Sequence, residues 1–254
     1  MAIFHKFQNH NWNNGFWTEN SILKTNHYEP EVLIIGTFNH GWHCNPSDFF
    51  YGRGMYMWPI MSNLFLQNQN VLTSVRNLNN DTPTLEEIFE ICKKGKLCFA
   101  DIVKGTKLGI PITDKDGIVK VNDEYFWSDY KDSRLNEMGQ RNWLDDNIKE
   151  IIEHVKKTPS IKHIYFTFKT GGNWILNKKR DIIDNVEIPC CSIFTPTGTG
   201  FRKNLNPPFE TRIKSLTHCW VWNCLHHNVP ICKKDYCHFN HDWLIINGVE
   251  PNNF

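Results

Sequence analysis

The chain has 254 residues, 40% hydrophobic and 22% charged, so it can bury a full core and is not a disordered polymer. Its net charge of +1 excludes a globally basic polyanion binder and leaves only local strips, with Lys178, Lys179 and Arg180 or Arg202 and Lys203 as candidates. No run approaches the roughly 18 apolar residues of a membrane helix, and the N-terminal stretch MAIFHKFQNHNWNN lacks a secretory apolar core. A cytoplasmic location is expected, where nine Cys serve as thiols or metal ligands rather than disulfides.

Apolar runs bounded by turn residues cover residues 32–38, 97–103, 161–168 and 188–194, and each reads as a buried strand. Between them, Pro59 suits the first turn of a helix reaching about Val71. Thr84 and Glu87 form a capping box for a helix that Gly95 can close. Trp143, Leu144, Ile148, Ile151, Ile152 and Val155 share one helical stripe. A shorter helix is expected over 173–179 and a long one over 207–227. Strands alternating with helices predict an α/β fold, a three-layer α/β/α sandwich around a four-stranded, mainly parallel sheet. Residues 1–228 would form that domain and 229–254 a Cys/His-rich extension.

In such sheets a ligand sits beyond the carboxyl ends of the strands, so the loops there are where a site is expected. The first strand runs into GTFNHGWHCNPSDFFYG. Gly36 permits close backbone approach, Asn39, His40, His43 and Asp48 can orient water or move protons, and Phe49, Phe50 and Tyr51 offer flat faces for a base. A purely structural loop is the competing reading. Asp101 ends the second strand and substitutes for Asp48 if that residue faces solvent. The third strand ends at Phe168 and Lys169 before a Gly pair. The fourth leads into FTPTGTGFRKN, where Thr197, Gly198, Thr199, Arg202 and Lys203 suit a DNA phosphate, since positioning contacts come mostly from such donors.

Taken in order, GTFNHG (36–41), FYGRGMYMW (50–58), FADIV (99–103), YFTF (165–168) and TPTGTG (195–200) resemble the motifs of the uracil-DNA glycosylase superfamily, over about residues 25–228. Three departures stand out: Asn39 replaces a frequent Pro, Met55 replaces an Asn, and no His precedes Pro196. The resemblance implies a DNA glycosylase acting on a nucleotide flipped from double-stranded DNA, as a monomer and with no catalytic cofactor. Asn39 would hold the attacking water, Asp48 would activate it or stabilise the cationic sugar, and His40 would assist the departing base. Gly36, Phe38, Phe50, Tyr51 and Phe168 would surround that base. The resemblance extends to enzymes that excise modified cytosines, including glucosylated hydroxymethylcytosine, in anti-phage defence. Uracil or hypoxanthine repair, or a nucleic-acid-binding module without chemistry, are the alternatives.

From the end of the last predicted helix onward, Cys224, Cys232, Cys237 and His241 have seven, four and three intervening residues, a spacing close to a CCCH zinc finger. A structural zinc there would staple a tail too short for its own core. The competing reading leaves Cys219 and Cys224 on the helix's core face beside a His-rich tail.

Overall fold

The computed structural model describes residues 2–41, 47–52, 55–67, 82–110, 117–121, 123–128, 132–168, 172–193, 195–196, 212–226 and 240–249. In chain order these form β1 (Phe16–Glu19), β2 (Ile22–Thr25), β3 (Val32–Gly36), α1 (Met57–Phe65), α2 (Leu85–Gly95), β4 (Leu97–Asp101) and β5 (Val103–Thr106). There follow β6 (Ile118–Val121), β7 (Glu124–Trp127), α3 (Asp132–Gln140), β8 (Leu144–Asp146), α4 (Ile148–Lys157), β9 (His163–Phe166), α5 (Asn173–Ile183), β10 (Cys190–Ser192), α6 (Arg212–His226) and α7 (His241–Ile246).

The chain is mixed α/β with a mainly parallel sheet, but among the described residues the sheet has six strands rather than four, in the order β1-β2-β4-β3-β9-β10. The predicted runs supply its parallel part, β4-β3-β9-β10. An antiparallel hairpin, β1-β2, extends it beyond β4. The hairpin turns on Asn20 and Ser21, both at positive φ (50° and 58°), a turn chemistry less recognisable than Asn-Gly. Two small antiparallel pairs, β5-β8 and β6-β7, lie outside the sheet.

Every residue of β3, β4 and β9 is buried, which in a parallel sheet means that helices cover both faces. The helices fall into two contacting groups: α1 with α2 and α6, and α5 with α3 and α4. Local sequence accounts for their ends. Thr84 Oγ1 accepts from the Glu87 amide (3.2 Å) and Glu87 Oε2 accepts from the Thr84 amide (2.7 Å), completing the capping box. Gly95 ends α2, where a Cβ would strike Phe65 at 2.8 Å, and Lys96 adopts the left-handed cap at φ 47°. One predicted stripe is corrected. Leu144 belongs to β8 and the helix starts only at Ile148, because the Leu144–Asp146 segment pairs with β5 before the chain turns helical.

Connections leave β3 toward β4 and β9 toward β10, in opposite directions along the sheet. Right-handed crossovers then use opposite faces, which makes the carboxyl ends of β3 and β9 the topological switch point of the sheet. That end of the sheet is where the polar cluster lies.

Candidate functional site

Asp101 is the last residue of β4 and pairs in register with Gly36, the last of β3. Its side chain is fully buried, and Oδ2 takes two donors: Asn39 Nδ2 at 2.6 Å and His5 Nε2 at 2.8 Å. A carboxylate only accepts, so the amide nitrogen of Asn39 must face it and the amide oxygen points elsewhere. The His5 tautomer is fixed by the same logic. The Phe7 amide donates to His5 Nδ1 (2.9 Å), leaving the ring proton on Nε2, aimed at Asp101. Asp101 Oδ1, also buried, has no hydrogen-bond partner among the described residues.

The room for this arrangement comes from Gly36. A Cβ there would lie 2.2 Å from Asp101 Oδ1 and 2.6 Å from the Tyr51 hydroxyl, so the carboxylate and the phenol close over the same glycine. Tyr51 sits at φ 56°, an uncommon conformation for a bulky residue, and Thr167 Oγ1 lies 3.5 Å from its hydroxyl. Burial, and then the Asp101 charge, push its phenol well above the ordinary range, so it stays protonated and can donate.

His5 was missed in the sequence, where residues 2–7 drew notice only for lacking a signal core. Ile3, His5, Lys6 and Phe7 are all buried and only Phe4 is exposed, so no alternation or other local pattern marked His5. This segment bridges to Gly105 and His40, which carries His5 to the end of β4. Phe38 and Phe50 flank the imidazole with ring centroids at 5.9 and 6.0 Å. Phe50 presents no face to solvent, being fully buried and stacked on Phe99 at 5.8 Å. Phe168 lies by the exit of β9 under the Lys179 ammonium, 5.8 Å from its ring.

His40 is buried next to the same segment, and burial, then Lys6 and His5, lower its pKa to about 4. It is neutral at pH 7 and can offer a ring N–H but not a stored proton. Asp48 is half-buried; its carbonyl accepts from the Trp12 indole at 3.1 Å and its charge acts on Lys6. The structure thus brings together Gly36, Asn39, Asp101 and Tyr51, with Phe38 and His40 alongside and His5 added. His43, Lys169, Thr197, Gly198, Thr199, Arg202 and Lys203 lie outside the described residues, as do Cys232 and Cys237. Cys224 and His241 fall within α6 and α7.

A cavity of about 410 Å³ adjoins the cluster, lined by His5, Lys6 and Gly41 on one side and by Asp123, Glu124, Tyr125 and Phe126 of the β6-β7 hairpin on the other. Its volume falls in the ordinary range of small-ligand pockets. Among the described residues no helix is long and apolar enough to cross a membrane.

Neither family models nor curated protein sequences give a match to this chain. Among solved structures it is similar to a protein of Methanosarcina acetivorans, determined by solution NMR and provisionally described as a uracil DNA glycosylase, with 16% identity over 69% of this chain and 84% of that one and a TM-score of 0.34. A likeness of that strength decides nothing about activity, which has to rest on this chain's own residues.

Proposed function

We propose that the protein is a DNA glycosylase that hydrolyses the N-glycosidic bond of a nucleotide flipped from duplex DNA, leaving an abasic site. The observation that carries this reading is Asp101, a fully buried carboxylate at a strand's carboxyl end with one oxygen held by Asn39 and His5 and the other without a partner among the described residues. Burying a charge is costly unless it is paired, and a native fold that leaves a buried oxygen unsatisfied calls for a functional explanation. N-glycosidic hydrolysis supplies one. Its transition state places positive charge on the sugar and needs a held water. Asp101 provides the negative charge, and Oδ1 accepts one proton of the water. The Asn39 amide oxygen, turned from Asp101, accepts the other. His5 fixes the carboxylate, while neutral His40 donates a hydrogen bond to the departing base. Asp101 thereby takes the role first considered for Asp48.

The substrate we assign is a modified cytosine larger than uracil, as would serve defence against phage DNA, because the resemblance places Met55 where an Asn would otherwise make a polar base contact. The test is a panel of duplex oligonucleotides bearing uracil, hypoxanthine or modified cytosines, together with phage-derived modified DNA. Alkali-labile abasic sites should appear with the wild type and vanish with Asp101→Asn. Cleavage of the deaminated bases alone would overturn the substrate assignment. Tight DNA binding with no abasic product on any substrate would overturn the activity and leave a binding module.

A further inference from the structure

The hydrolytic mechanism leaves one nucleophile unused. Lys6 follows His5 directly, and its amide donates to the Asn39 carbonyl at 2.8 Å, tying it to the loop that carries the site. It is 6% exposed, rare for a lysine, and it lines the same cavity as His5. Its ammonium lies 5.8 Å from the Phe7 ring centroid, its charge acts on His10 and His40, and Asp48 acts on it in turn. Lys6 is therefore part of the site and not of the solvated surface. Burial lowers its pKa, against Asp48, which favours the free amine that a lysine nucleophile requires.

We propose that Lys6 attacks C1′ of the abasic sugar, giving the protein a DNA lyase activity beyond base removal. The inference rests on the glycosylase reading, because the site must admit a deoxyribose C1′. The neutral amine adds to the aldehyde carbon of the ring-opened sugar, forming an N–C1′ bond. The C1′ oxygen leaves as water, giving an iminium. A base removes a proton from C2′, and neutral His40 is the neighbouring candidate. The electron pair moves into the C2′–C3′ bond, and the C3′–O bond breaks with the phosphate as leaving group. Water then hydrolyses the imine, restoring Lys6 and releasing an unsaturated aldehyde on the 5′ fragment. Water is the only co-reactant.

The experiment uses the full chain and a duplex carrying a ready-made abasic site, with sodium borohydride to reduce any imine to a stable amine. The wild type should give a covalent protein–DNA band whose adduct maps by mass spectrometry to the peptide containing Lys6. Lys6→Arg keeps the charge but forms no such imine under these conditions, and should lose at least tenfold in adduct yield while still binding the duplex. If that variant does not fold, the mapped position in the wild type decides. An adduct on another lysine, a wild-type yield from Lys6→Arg, or no adduct from the wild type would each overturn the proposal. Since the abasic site is supplied, failure here leaves base removal untouched. Failure of base removal would show only on intact oligonucleotides.

Discussion

Strand β4 meets a buried histidine at each of two positions three residues apart, and the two contacts are electrical opposites. At Asp101, His5 donates from Nε2 to a carboxylate. At Cys98, His154 Nδ1 faces the Lys24 ammonium at 2.8 Å, which can only donate, so the imidazole accepts there and turns its Nε2 proton toward the Cys98 sulfur at 3.6 Å. Burial, then Lys24, hold His154 at a pKa of about 4. Burial also pushes the Cys98 thiol up to about 12, although Lys24 opposes it, and the thiol sits 3.0 Å from the Leu23 carbonyl. By composition this second pair is a Cys–His dyad. By electrostatics it is inert, a neutral ring beside an un-ionised thiol with an acceptor of its own. Residue type does not separate the two places; the sign of the partner and the atom left unsatisfied do.

The sharpest way to break the contrast is Asp101→Asn, which keeps the shape and removes the charge at one end of β4. Single-turnover base excision should fall by two to three orders of magnitude, as expected for losing a transition-state interaction, with DNA binding nearly intact. Full activity on a substrate that the wild type demonstrably cleaves would remove Asp101 from the chemistry. His5→Gln, which retains a donor but lacks the locked tautomer, should fall between that variant and the wild type.

Gly36→Ala tests the space on which the active end depends. Its Cβ would meet Asp101 Oδ1 at 2.2 Å and the Tyr51 hydroxyl at 2.6 Å, so these side chains must shift or the strand must move. We expect a loss of about 3 kcal/mol in urea unfolding, at the upper end of the usual cost of overpacking, together with a loss of excision. An alanine that leaves both unchanged would show that the carboxylate and phenol do not converge there.

The contrast also explains what could be read in advance. Three of the four apolar runs became β3, β4 and β9 because a strand buried on both faces has a continuous hydrophobic signature that needs no partner to be seen, and the fourth became the half-buried edge strand β10. The β1-β2 hairpin escaped because Phe16–Glu19 and Ile22–Thr25 are short and join at Asn20 and Ser21, whose positive φ angles no glycine announces. At the site, Asn39, Tyr51 and Asp101 were legible as polar or aromatic groups at or after strand ends, and Gly36 as a point of close backbone approach. The pairing of Asn39 with Asp101, 62 residues apart, was not, and neither was His5, 96 residues from its carboxylate. Long-range hydrogen bonds leave no local trace in sequence. The preference for Asp101 over Asp48 therefore came from its burial, its two donors and its unsatisfied oxygen, none of them visible before the fold is assembled.

Acidification should act more gently, on His154 at the inert end of β4 and on His40 beside the site. His154 and His40 are both held at about 4, below the ordinary 6.5, so the folded state keeps them neutral while the unfolded chain takes up protons. Their stabilising contribution is complete above pH 6.5 and is lost as pH falls from there through about 4. For each ring the loss is about 2 kcal/mol between pH 7 and pH 5. Urea unfolding at those two pH values should show His154→Gln losing less stability than the wild type by about that amount. An identical loss in both proteins would mean that His154 is not the ring being held neutral.

The smallest effect is expected at Cys98, and it bears most directly on whether that end of β4 is inert. Cys98→Ser replaces a buried thiol by a smaller hydroxyl that can still donate to the Leu23 carbonyl, now 3.0 Å from sulfur, and can accept from His154 Nε2. The better donor offsets part of the packing lost with the larger sulfur, so the net change should stay below about 1 kcal/mol. Base excision should be unchanged, since the hydrolytic centre lies at the other end of the strand. With the thiol pushed up to about 12 and nearly inaccessible, iodoacetamide should label native Cys98 far more slowly than the unfolded protein. Rapid native labelling of Cys98, or loss of excision in Cys98→Ser, would make the Cys98–His154 pair a working dyad and erase the distinction that places the chemistry at Asp101.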